Sequence, residues 1–390
     1  MSEIKVNSIK GVGASAAAIT VNNTDGTCSA NITNNLSNRR LTINGAMTIA
    51  QRGVSNTENG YGTVDRIRSL FGGTDEDVTQ AQVDVASGTT PYTLGFRKAF
   101  KMTNGNQTSV GTNDNIHIQI KLEAQDIANS GWNYTSTSSF VTFSFWCKSS
   151  VAQNFYGYLR SIDGTGQVYP FETGSLSADT WTKVTKTIPG NSNLQFDNDN
   201  GEGVQIVPVA PFFGTAFTDS SVSLNAWSAY STSARMPDNT STWYTTNDAT
   251  FEITGVQLEV GSVPTDFEFR TQAQELELCK RYYYVVVNEN GKYFNPAYTY
   301  VNGLIYSNFK HPVQMRTTAS LEQVTGTDYY RFYYNGGYDG FTGFIKTDWS
   351  TKDFATLQTG PSQLGITLSD KTGALYQMEA AGYIAFSAEL

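Results

Sequence analysis

The chain contains 390 residues, of which 39% are hydrophobic and 13% aromatic, and this composition is sufficient for the cores of two globular domains. Its formal net charge of -9 argues against a nucleic-acid-binding surface, which would need clustered Lys and Arg. The sequence has neither a long apolar run nor the charged-then-apolar pattern of a signal peptide near its start, so we expect assembly in a cytosol, without membrane insertion or nucleic-acid binding.

Residues 1–40 show short apolar alternations but contain no Phe, Trp or Tyr, so this segment cannot close a core of its own. Ile4 with Val6, and Ile19 with Val21, mark two of its short strands. Such strands must pair with something outside the segment. We therefore predict that residues 1–40 form an extended attachment arm, and that these four residues are its contact positions.

Residues 41–270 carry patterns typical of antiparallel β-strands that have one buried and one solvated face. Two rows of alternating apolar residues are Ile116, Ile118, Ile120 and Leu122, and Val141, Phe143, Phe145 and Cys147. Polar residues, including His117 and Lys121, lie between the members of the first row. These rows predict an all-β fold in which two sheets face each other as an antiparallel β-sandwich.

The apolar alternation changes phase near Gly255. Phe251 and Ile253 are apolar at odd positions, whereas Val256 and Leu258 are apolar at even positions. One extra residue in a strand produces this shift, and glycine tolerates the backbone conformation that the shift requires. We therefore predict a β-bulge at this glycine.

The segment that follows predicts a short linking helix. Thr271 and Gln274 have the spacing of a capping box at its start. Its expected apolar stripe consists of Ala273, Leu276, Cys279 and Tyr283. We predict that residues 271–284 form a hinge or spacer between the sandwich of residues 41–270 and a second domain.

Residues 285–390 form the predicted second domain, which is rich in tyrosine. Twelve of the 22 tyrosines lie between Tyr284 and the end of the chain. Asn-Gly pairs that begin at Asn290, Asn302 and Asn335 are signals of tight β-hairpins. This composition predicts a second, small β-sandwich.

Catalytic chemistry has little support in the sequence. His117 and His311 have no neighbouring nucleophile, and we expect both at the surface. There is no phosphate-binding loop, no GxSxG elbow and no zinc-binding cysteine pair. A convergent pair of carboxylates stays open as an alternative, because sequence does not show which acids meet in space. We expect no enzymatic activity.

One acidic turn is a candidate metal site. Asp197, Asp199 and Glu202 supply oxygen ligands around glycines, as a hard cation such as calcium prefers. The spacing departs from an EF-hand loop, so a solvated acidic turn and a structural calcium site both stand as interpretations. No other cofactor is expected. The cysteines are far apart in sequence and are expected to be reduced and mostly buried: Cys28, Cys147 and Cys279.

Aromatic residues in polar surroundings are the stronger functional signal, because sugars stack their C–H faces on rings while their hydroxyls bond to polar groups. Trp227, Tyr230, Trp243 and Tyr244 flank a polar stretch at residues 231–242. They are candidate glycan contacts, and the alternative is that their rings belong to the sandwich core.

A second group of candidate glycan contacts lies in the run at residues 329–338, which places rings on both faces of a strand. Tyr333 and Tyr334 are the residues selected from this run. Rings that face outward have two interpretations, an interface between subunits and a contact with glycans.

Several segments of the chain, in order, resemble segments of tail-fibre-like virion proteins of bacteriophages, especially phages of marine bacteria and cyanobacteria. These segments are LTINGAMTIAQRG (41–53), VDR (64–66), FVTFSFWCKS (140–149), WTKVTKTIPG (181–190), ITGVQLEVGSVPTDFEFR (253–270) with ELELCKRYYY (275–284), and GYIAFSAEL (382–390). The resemblance implies that the sandwich is a jelly-roll, carbohydrate-binding-like module, that the arm attaches to the particle, and that the protein is a homotrimer. No internal repeat supports the parallel β-helix of polysaccharide-cutting tailspikes.

The preferred hypothesis is a structural virion protein, a trimeric tail fibre that attaches the particle to glycans of the host surface. One alternative is a capsid decoration protein anchored to the coat by its arm, and a second is a glycan-degrading tailspike. The expected partners are further copies of the chain, other virion proteins through the arm, and host cell-surface polysaccharide. The expected location is the tail or capsid surface of the virion.

Overall fold

The computed structural model describes residues 6–10, 12–13, 17–21, 24, 28–30, 39–301, 304–327, 329–334, 337–347, 351–359, 373–379 and 382–390. β-strands dominate these residues, as the predicted all-β class requires. Strands and helices are numbered in chain order.

The N-terminal segment forms a three-stranded antiparallel sheet of β1 (Ser8–Ile9), β2 (Ile19–Val21) and β3 (Cys28–Ala30). The strands pair with one another, so the prediction that they need a partner outside the segment for pairing is wrong. Val6 is 44% exposed, and Ile19 and Val21 are half-buried. Ile4 lies outside the described residues. The role of the segment as an attachment arm stays a prediction.

The next part of the chain is a sandwich of two antiparallel sheets. Its elements are β4 (Ser55–Asn56), β5 (Arg68–Gly72), β6 (Thr79–Asp84), α1 (Thr90–Thr93), β7 (Lys98–Thr103), β8 (Asn115–Glu123), α2 (Ala124–Ala128), β9 (Phe140–Ser149), β10 (Asn154–Ser161), β11 (Gln167–Ser175), β12 (Thr182–Pro189), β13 (Glu202–Ala210), β14 (Phe212–Phe213), β15 (Ser228–Ala229) and β16 (Thr250–Val260). The first sheet has the order β14-β8-β13-β10-β11-β15, with β5 also paired to β8, and the second has the order β12-β9-β16-β7-β6-β4.

The strand order is that of a jelly roll. The long strands β8-β13-β10-β11 form one layer and β7-β16-β9-β12 form the other, and the chain crosses between layers at each step except the β10–β11 hairpin. Inward-facing rings meet between the layers: Phe143 lies 5.9 Å from Phe171, and Phe155 lies 4.9 Å from Phe251, measured between ring centroids. The predicted antiparallel sandwich is therefore confirmed.

The predicted β-bulge is present in β16. Gly255 has a φ of +64°, and the register of β16 against β9 shifts between Thr254 and Gln257. A Cβ atom at Gly255 would lie 2.7 Å from Cζ of Phe96, so the bulge both bends the strand and makes room for this ring.

The outer side of the first sheet is covered, which the alternating pattern did not predict. His117 and Gln119 are only 6% and 4% exposed, so the expectation of a solvated strand face is wrong here. A second apolar cluster on this side joins Tyr158 and Val207 of the sheet to Phe213 and to Met236 of the segment that folds over it. Both sides of the sheet are consequently packed.

The linking helix is α3 (Gln272–Lys280), and it begins with the predicted capping box of Thr271 and Gln274. Its buried face differs from the predicted stripe, because Glu275 and Cys279 are buried while Ala273 is exposed. Glu275 forms a buried ion pair with Arg40 at the start of the jelly roll. A charged residue therefore occupies the inner face of this helix, where its partner comes from a distant part of the chain.

The C-terminal part of the chain forms two further antiparallel sheets. Its strands are β17 (Tyr283–Val287), β18 (Tyr293–Val301), β19 (Leu304–Lys310), β20 (Ser320–Gln323), β21 (Tyr330–Tyr334), β22 (Gly337–Phe341), β23 (Phe344–Lys346), β24 (Phe354–Thr359), β25 (Gly373–Met378) and β26 (Ile384–Ser387). The sheet orders are β17-β26-β20 and β22-β21-β25-β18-β19-β24-β23. The sheets share one aromatic core. His311, which was expected at the surface, is 4% exposed in this core, and its Nδ1 lies 2.7 Å from the hydroxyl of Tyr284.

Charged groups join the jelly roll to the C-terminal domain. The guanidinium of Arg281 donates to both carboxylate oxygens of Glu123 at 2.7 and 2.8 Å, and the Tyr282 hydroxyl donates to the same carboxylate at 2.5 Å. Burial raises the pKa of Glu123, but the hydrogen bonds from Arg281 and Tyr282 outweigh this effect and the net pKa is lowered. The ionised carboxylate is thus fully enclosed at the joint.

Candidate functional site

A cleft of about 1050 Å³ lies between the jelly roll and the C-terminal domain, and it is called the interdomain cleft below. Its walls come from four segments of the chain: residues 50–62 before β5, residues 283–288 around β17, residues 321–324 around β20, and residues 382–389 around β26. Concave sites of this size at domain junctions are common binding sites for small molecules and oligomers.

Stacked aromatic and guanidinium groups form one side of the cleft. The guanidinium carbon of Arg52 lies 3.4 Å from the ring centroid of Tyr283 and 5.6 Å from that of Tyr61. Arg52 also forms an ion pair with Glu389 at 3.2 Å, and Arg66 forms an ion pair with the same carboxylate. These contacts hold the rings in fixed orientations.

Polar side chains also line the cleft. Asn56 and Glu58 project from the jelly roll, and Asn288 and Glu322 from the C-terminal domain. Within the described part of the chain, neither of the two carboxylates takes part in an ion pair. They therefore retain acceptor capacity for hydroxyl groups of a ligand.

Two tyrosine hydroxyls in the cleft stay protonated. Burial raises the pKa of Tyr61 to about 12, and the charge of Glu389 adds to this effect. Burial, followed by the charges of Glu322 and Glu58, also raises the pKa of Tyr383. The Tyr61 hydroxyl is buried, whereas Tyr383 is partly exposed. At neutral pH the cleft therefore combines the neutral hydroxyl of Tyr383 with the carboxylate acceptors of Glu58 and Glu322, a combination that suits a polyhydroxylated ligand.

The outer face of the seven-stranded C-terminal sheet carries a second aromatic group, called the tyrosine face below. Tyr293, Tyr298 and Tyr338 are 48%, 48% and 46% exposed, and the ring of Tyr333 lies 4.9 Å from that of Tyr338. The hydroxyls of Tyr293 and Tyr338 are 2.8 Å apart. The predicted outward orientation of alternate rings in this run is observed, since Tyr330 and Phe332 of the same strand are buried.

The aromatic residues selected from the sequence fall into different places. Trp243 and Tyr244 are 0% exposed in the jelly-roll core, where the indole donates to the Thr250 carbonyl at 3.1 Å and the hydroxyl donates to Asp114 at 2.8 Å. Their full burial removes them from the residues that can contact a surface ligand.

Trp227 and Tyr230 are half-buried at the edge of the jelly roll. The Trp227 indole donates to the Pro189 carbonyl at 2.7 Å, and Tyr230 lies beneath the guanidinium of Arg160, 3.5 Å from its carbon. Tyr333 belongs to the tyrosine face, and the side chain of Tyr334 lies outside the described residues. Neither the interdomain cleft nor the tyrosine face contains Trp227 or Tyr230.

The acidic side chains of the turn contact other groups of the protein, and the calcium site stays a prediction. Glu202 pairs with Lys121 at 2.7 Å, and Asp199 accepts a hydrogen bond from the backbone of Gly201. The Asp197 backbone donates to Asp163. Among the residues that the structure describes, no group of three or more His, Cys, Asp or Glu side chains is arranged to hold a metal ion.

The buried thiols agree with the sequence interpretation. Cys147 and Cys279 are free and buried, and burial raises the pKa of Cys147 to about 12. The side chain of Cys28 lies outside the described residues. No helix in the described ranges is long and apolar enough to cross a membrane.

The cleft residues were not selected from the sequence, since they come from segments more than 200 residues apart. The one local signal was the run of three tyrosines that follows the linking helix, of which Tyr283 lines the cleft. Nothing in the pattern around Tyr61 or Tyr383 distinguishes either residue from an ordinary core or surface tyrosine.

No protein-family model matches the chain, and no curated protein matches it. Solved structures with a similar arrangement include the enzymatically active domain of tailspike protein 4 of bacteriophage CBA120, at 8% identity and a TM-score of 0.29, over 57% of this chain and 21% of that chain. A putative sugar-binding protein from Bacteroides thetaiotaomicron matches at 9% identity and a TM-score of 0.29, over 57% of this chain and 99% of that one. A tandem CBM22 domain from Paenibacillus barcinonensis matches at 7% identity and a TM-score of 0.27, over 91% of this chain and 100% of that one. The jelly-roll assignment rests on the strand order itself.

Proposed function

We propose that the protein is a non-enzymatic, glycan-binding structural protein of a bacteriophage virion, a trimeric tail fibre that attaches the particle to host surface polysaccharide. The observation that carries the glycan-binding part is the interdomain cleft. It places the half-buried Tyr61 and Tyr383 beside the carboxylates of Glu58 and Glu322. The assignment to a virion rests on the resemblance of the chain segments to tail-fibre-like proteins.

The polarity of the cleft favours a carbohydrate over an apolar ligand. Sugars bring several hydroxyls that act as donors and acceptors together with weakly polar C–H faces. The cleft offers acceptors on Glu58 and Glu322, a protonated hydroxyl on Tyr383, and the partly exposed rings of Tyr61 and Tyr383. An apolar ligand would leave these groups unpaired at a cost of about 1–3 kcal/mol each.

Binding is tested by probing an array of bacterial surface polysaccharides with the purified protein and titrating the strongest binder calorimetrically. We expect Tyr383→Ala to weaken binding about tenfold, equivalent to about 1.4 kcal/mol, because it removes a ring and a hydroxyl from the cleft. The matched control is Tyr338→Ala on the tyrosine face, for which we expect a change of less than about twofold. Loss of binding in Tyr338→Ala with retention in Tyr383→Ala would place the glycan site on the tyrosine face and overturn the cleft assignment.

The absence of enzymatic activity is tested on the same polysaccharide. We expect no increase in reducing ends after prolonged incubation with the protein. Release of reducing ends that stops in both Glu58→Gln and Glu322→Gln would instead establish the glycan-degrading tailspike, with this carboxylate pair as its acid and base.

Position and oligomeric state are tested on the particle and in solution. Antibody raised against this chain is expected to label the tail in electron micrographs, whereas label on the capsid would establish the decoration-protein alternative. Light scattering of the purified protein is expected to give the mass of three chains. A monomer with an intact N-terminal sheet would contradict the trimeric part of the proposal.

A further inference from the structure

Three arginines lie on the outer side of the first jelly-roll sheet. Arg68 belongs to β5, Arg160 to β10, and Arg235 to the segment that folds over the sheet. All three are partly exposed. They are called the arginine cluster below.

Neutral groups hold each guanidinium in place. Arg68 donates to the side-chain oxygen of Gln119 at 3.0 Å, and Arg160 donates to that of Gln205 at 3.3 Å. The carbon of the Arg160 guanidinium also lies 3.5 Å from the ring centroid of Tyr230. The Arg235 guanidinium lies over the rings of Phe217 and Phe213, 4.7 and 5.3 Å from their centroids.

Carboxylates do not neutralise this cluster. Across the described ranges, no Asp or Glu oxygen lies within 4.0 Å of a nitrogen of Arg68, Arg160 or Arg235, although the chain has 35 acidic residues against 26 basic ones. The buried Nε atoms of Arg160 and Arg235 have no hydrogen-bond partner among the residues that are described. Glu202, on the neighbouring β13, is held by Lys121.

The charges of the cluster act on shared neighbours. Burial lowers the pKa of His117 to about 3, and the positive charges of Arg235 and Arg68 add to this effect. Burial raises the pKa of Tyr158, while the charges of Arg235 and Arg160 oppose it. Arg160 and Arg235 also lie over rings of one apolar cluster, Arg160 over Tyr230 and Arg235 over Phe213 and Phe217, so both charges occupy the same patch of a protein that is acidic overall.

We propose that the arginine cluster binds the carboxylate or sulfate groups of an acidic glycan, so that the polysaccharide recognised by this protein is anionic. Planar guanidinium groups match two-oxygen acceptors, and neutral surroundings leave their charge available to a ligand. Arg68 lies 5.7 Å from the ring centroid of Tyr61, which lines the interdomain cleft, so a glycan chain in the cleft has this member of the cluster beside it. This inference rests on the proposed function, because it takes the ligand to be a glycan.

Calorimetry tests the inference by measuring how the protein binds polygalacturonate, dextran sulfate and neutral dextran. We expect at least one of the two acidic polymers to bind and neutral dextran not to bind. Arg160→Gln and Arg235→Gln are each expected to weaken binding of the acidic polymer about tenfold. A preference for polygalacturonate or for dextran sulfate identifies whether the cluster binds carboxylate or sulfate groups.

Arg97→Gln is the matched control. Arg97 is an exposed arginine that also lies over a tyrosine ring, 4.0 Å from the centroid of Tyr92, but outside the cluster. We expect this variant to bind like the wild type. An equal loss in Arg97→Gln would reveal non-specific attraction and overturn the inference, as would binding of neither acidic polymer.

The two proposals fail in different ways. If Tyr383→Ala loses a neutral polysaccharide from the array while the acidic polymers do not bind, the glycan-binding function stands and the arginine cluster has no ligand of this class. If Arg235→Gln, on the covering segment, unfolds at lower temperature than the wild type, Arg68→Gln replaces it, since Arg68, like Arg160, lies on a strand. Unaltered binding in this variant also counts against the inference.

Discussion

Single residues on the outer side of the first sheet have environments that local sequence does not reveal. His117 occupies a polar position of an alternating strand, and the pattern therefore predicted exposure to solvent. In the structure its ring lies 4.8 Å from that of Phe213, because a segment about a hundred residues later in the chain covers the sheet. Trp243 and Tyr244, which follow the polar stretch at residues 231–242, belong instead to the main core of the sandwich.

The burial of His117 predicts a loss of stability in acid. Its pKa is lowered from 6.5 to about 3, so the unfolded chain binds a proton first and the folded state loses stability as pH falls through this window. We expect the free energy of unfolding to fall by up to about 1.4 kcal/mol per pH unit between about pH 6 and pH 4. His117→Gln should flatten this slope. Urea unfolding at several pH values measures the slope of the unfolding free energy against pH. Equal slopes for the wild type and His117→Gln would show that His117 is not the source of the acid sensitivity.

At the scale of elements, local chemistry was the better guide. The bulge in β16 was predictable because a phase change in alternation has few other causes, and a glycine lies at the break. The capping box of α3 was predictable because Thr271 and Gln274 interact only with each other and with the first helical turn. The buried face of α3 was not predictable, since Glu275 is buried by an ion pair with Arg40.

The bulge predicts a specific cost for adding one methyl group. In Gly255→Ala, the alanine must adopt a φ of +64°, and its new Cβ lies 2.7 Å from the ring of Phe96. Gly174→Ala in β11 is the matched control, because its φ of +77° is similar and no atom lies within 4 Å. We expect the control to lose about 1–2 kcal/mol from backbone strain and Gly255→Ala to lose about 1–3 kcal/mol more from overpacking. Denaturant unfolding measures both, and equal losses would show that Phe96 moves without cost.

At the scale of the whole molecule, the cleft and the joint depend on contacts between the two ends of the chain. Glu389 is held by Arg52 and by Arg66, which lie more than 300 residues earlier. Sequence patterns report on periods of a few residues and contain no information about which distant charges will meet. The antiparallel sandwich was therefore predictable, whereas the cleft formed by distant segments was not.

The joint predicts that the two domains unfold as one unit. Glu389 and Arg66 are 9% and 2% exposed at their side chains, so Glu389→Gln leaves buried arginines without a counter-charge. We expect a loss of about 3–5 kcal/mol and the separation of one calorimetric transition into two. Glu379→Gln is the control, because its pair with Arg331 is more exposed, at 35% and 28%, and its loss should cost less than about 1 kcal/mol. A single, unshifted transition in Glu389→Gln would show that the apolar contacts of the joint suffice, and the cleft would then keep its shape without this ion pair.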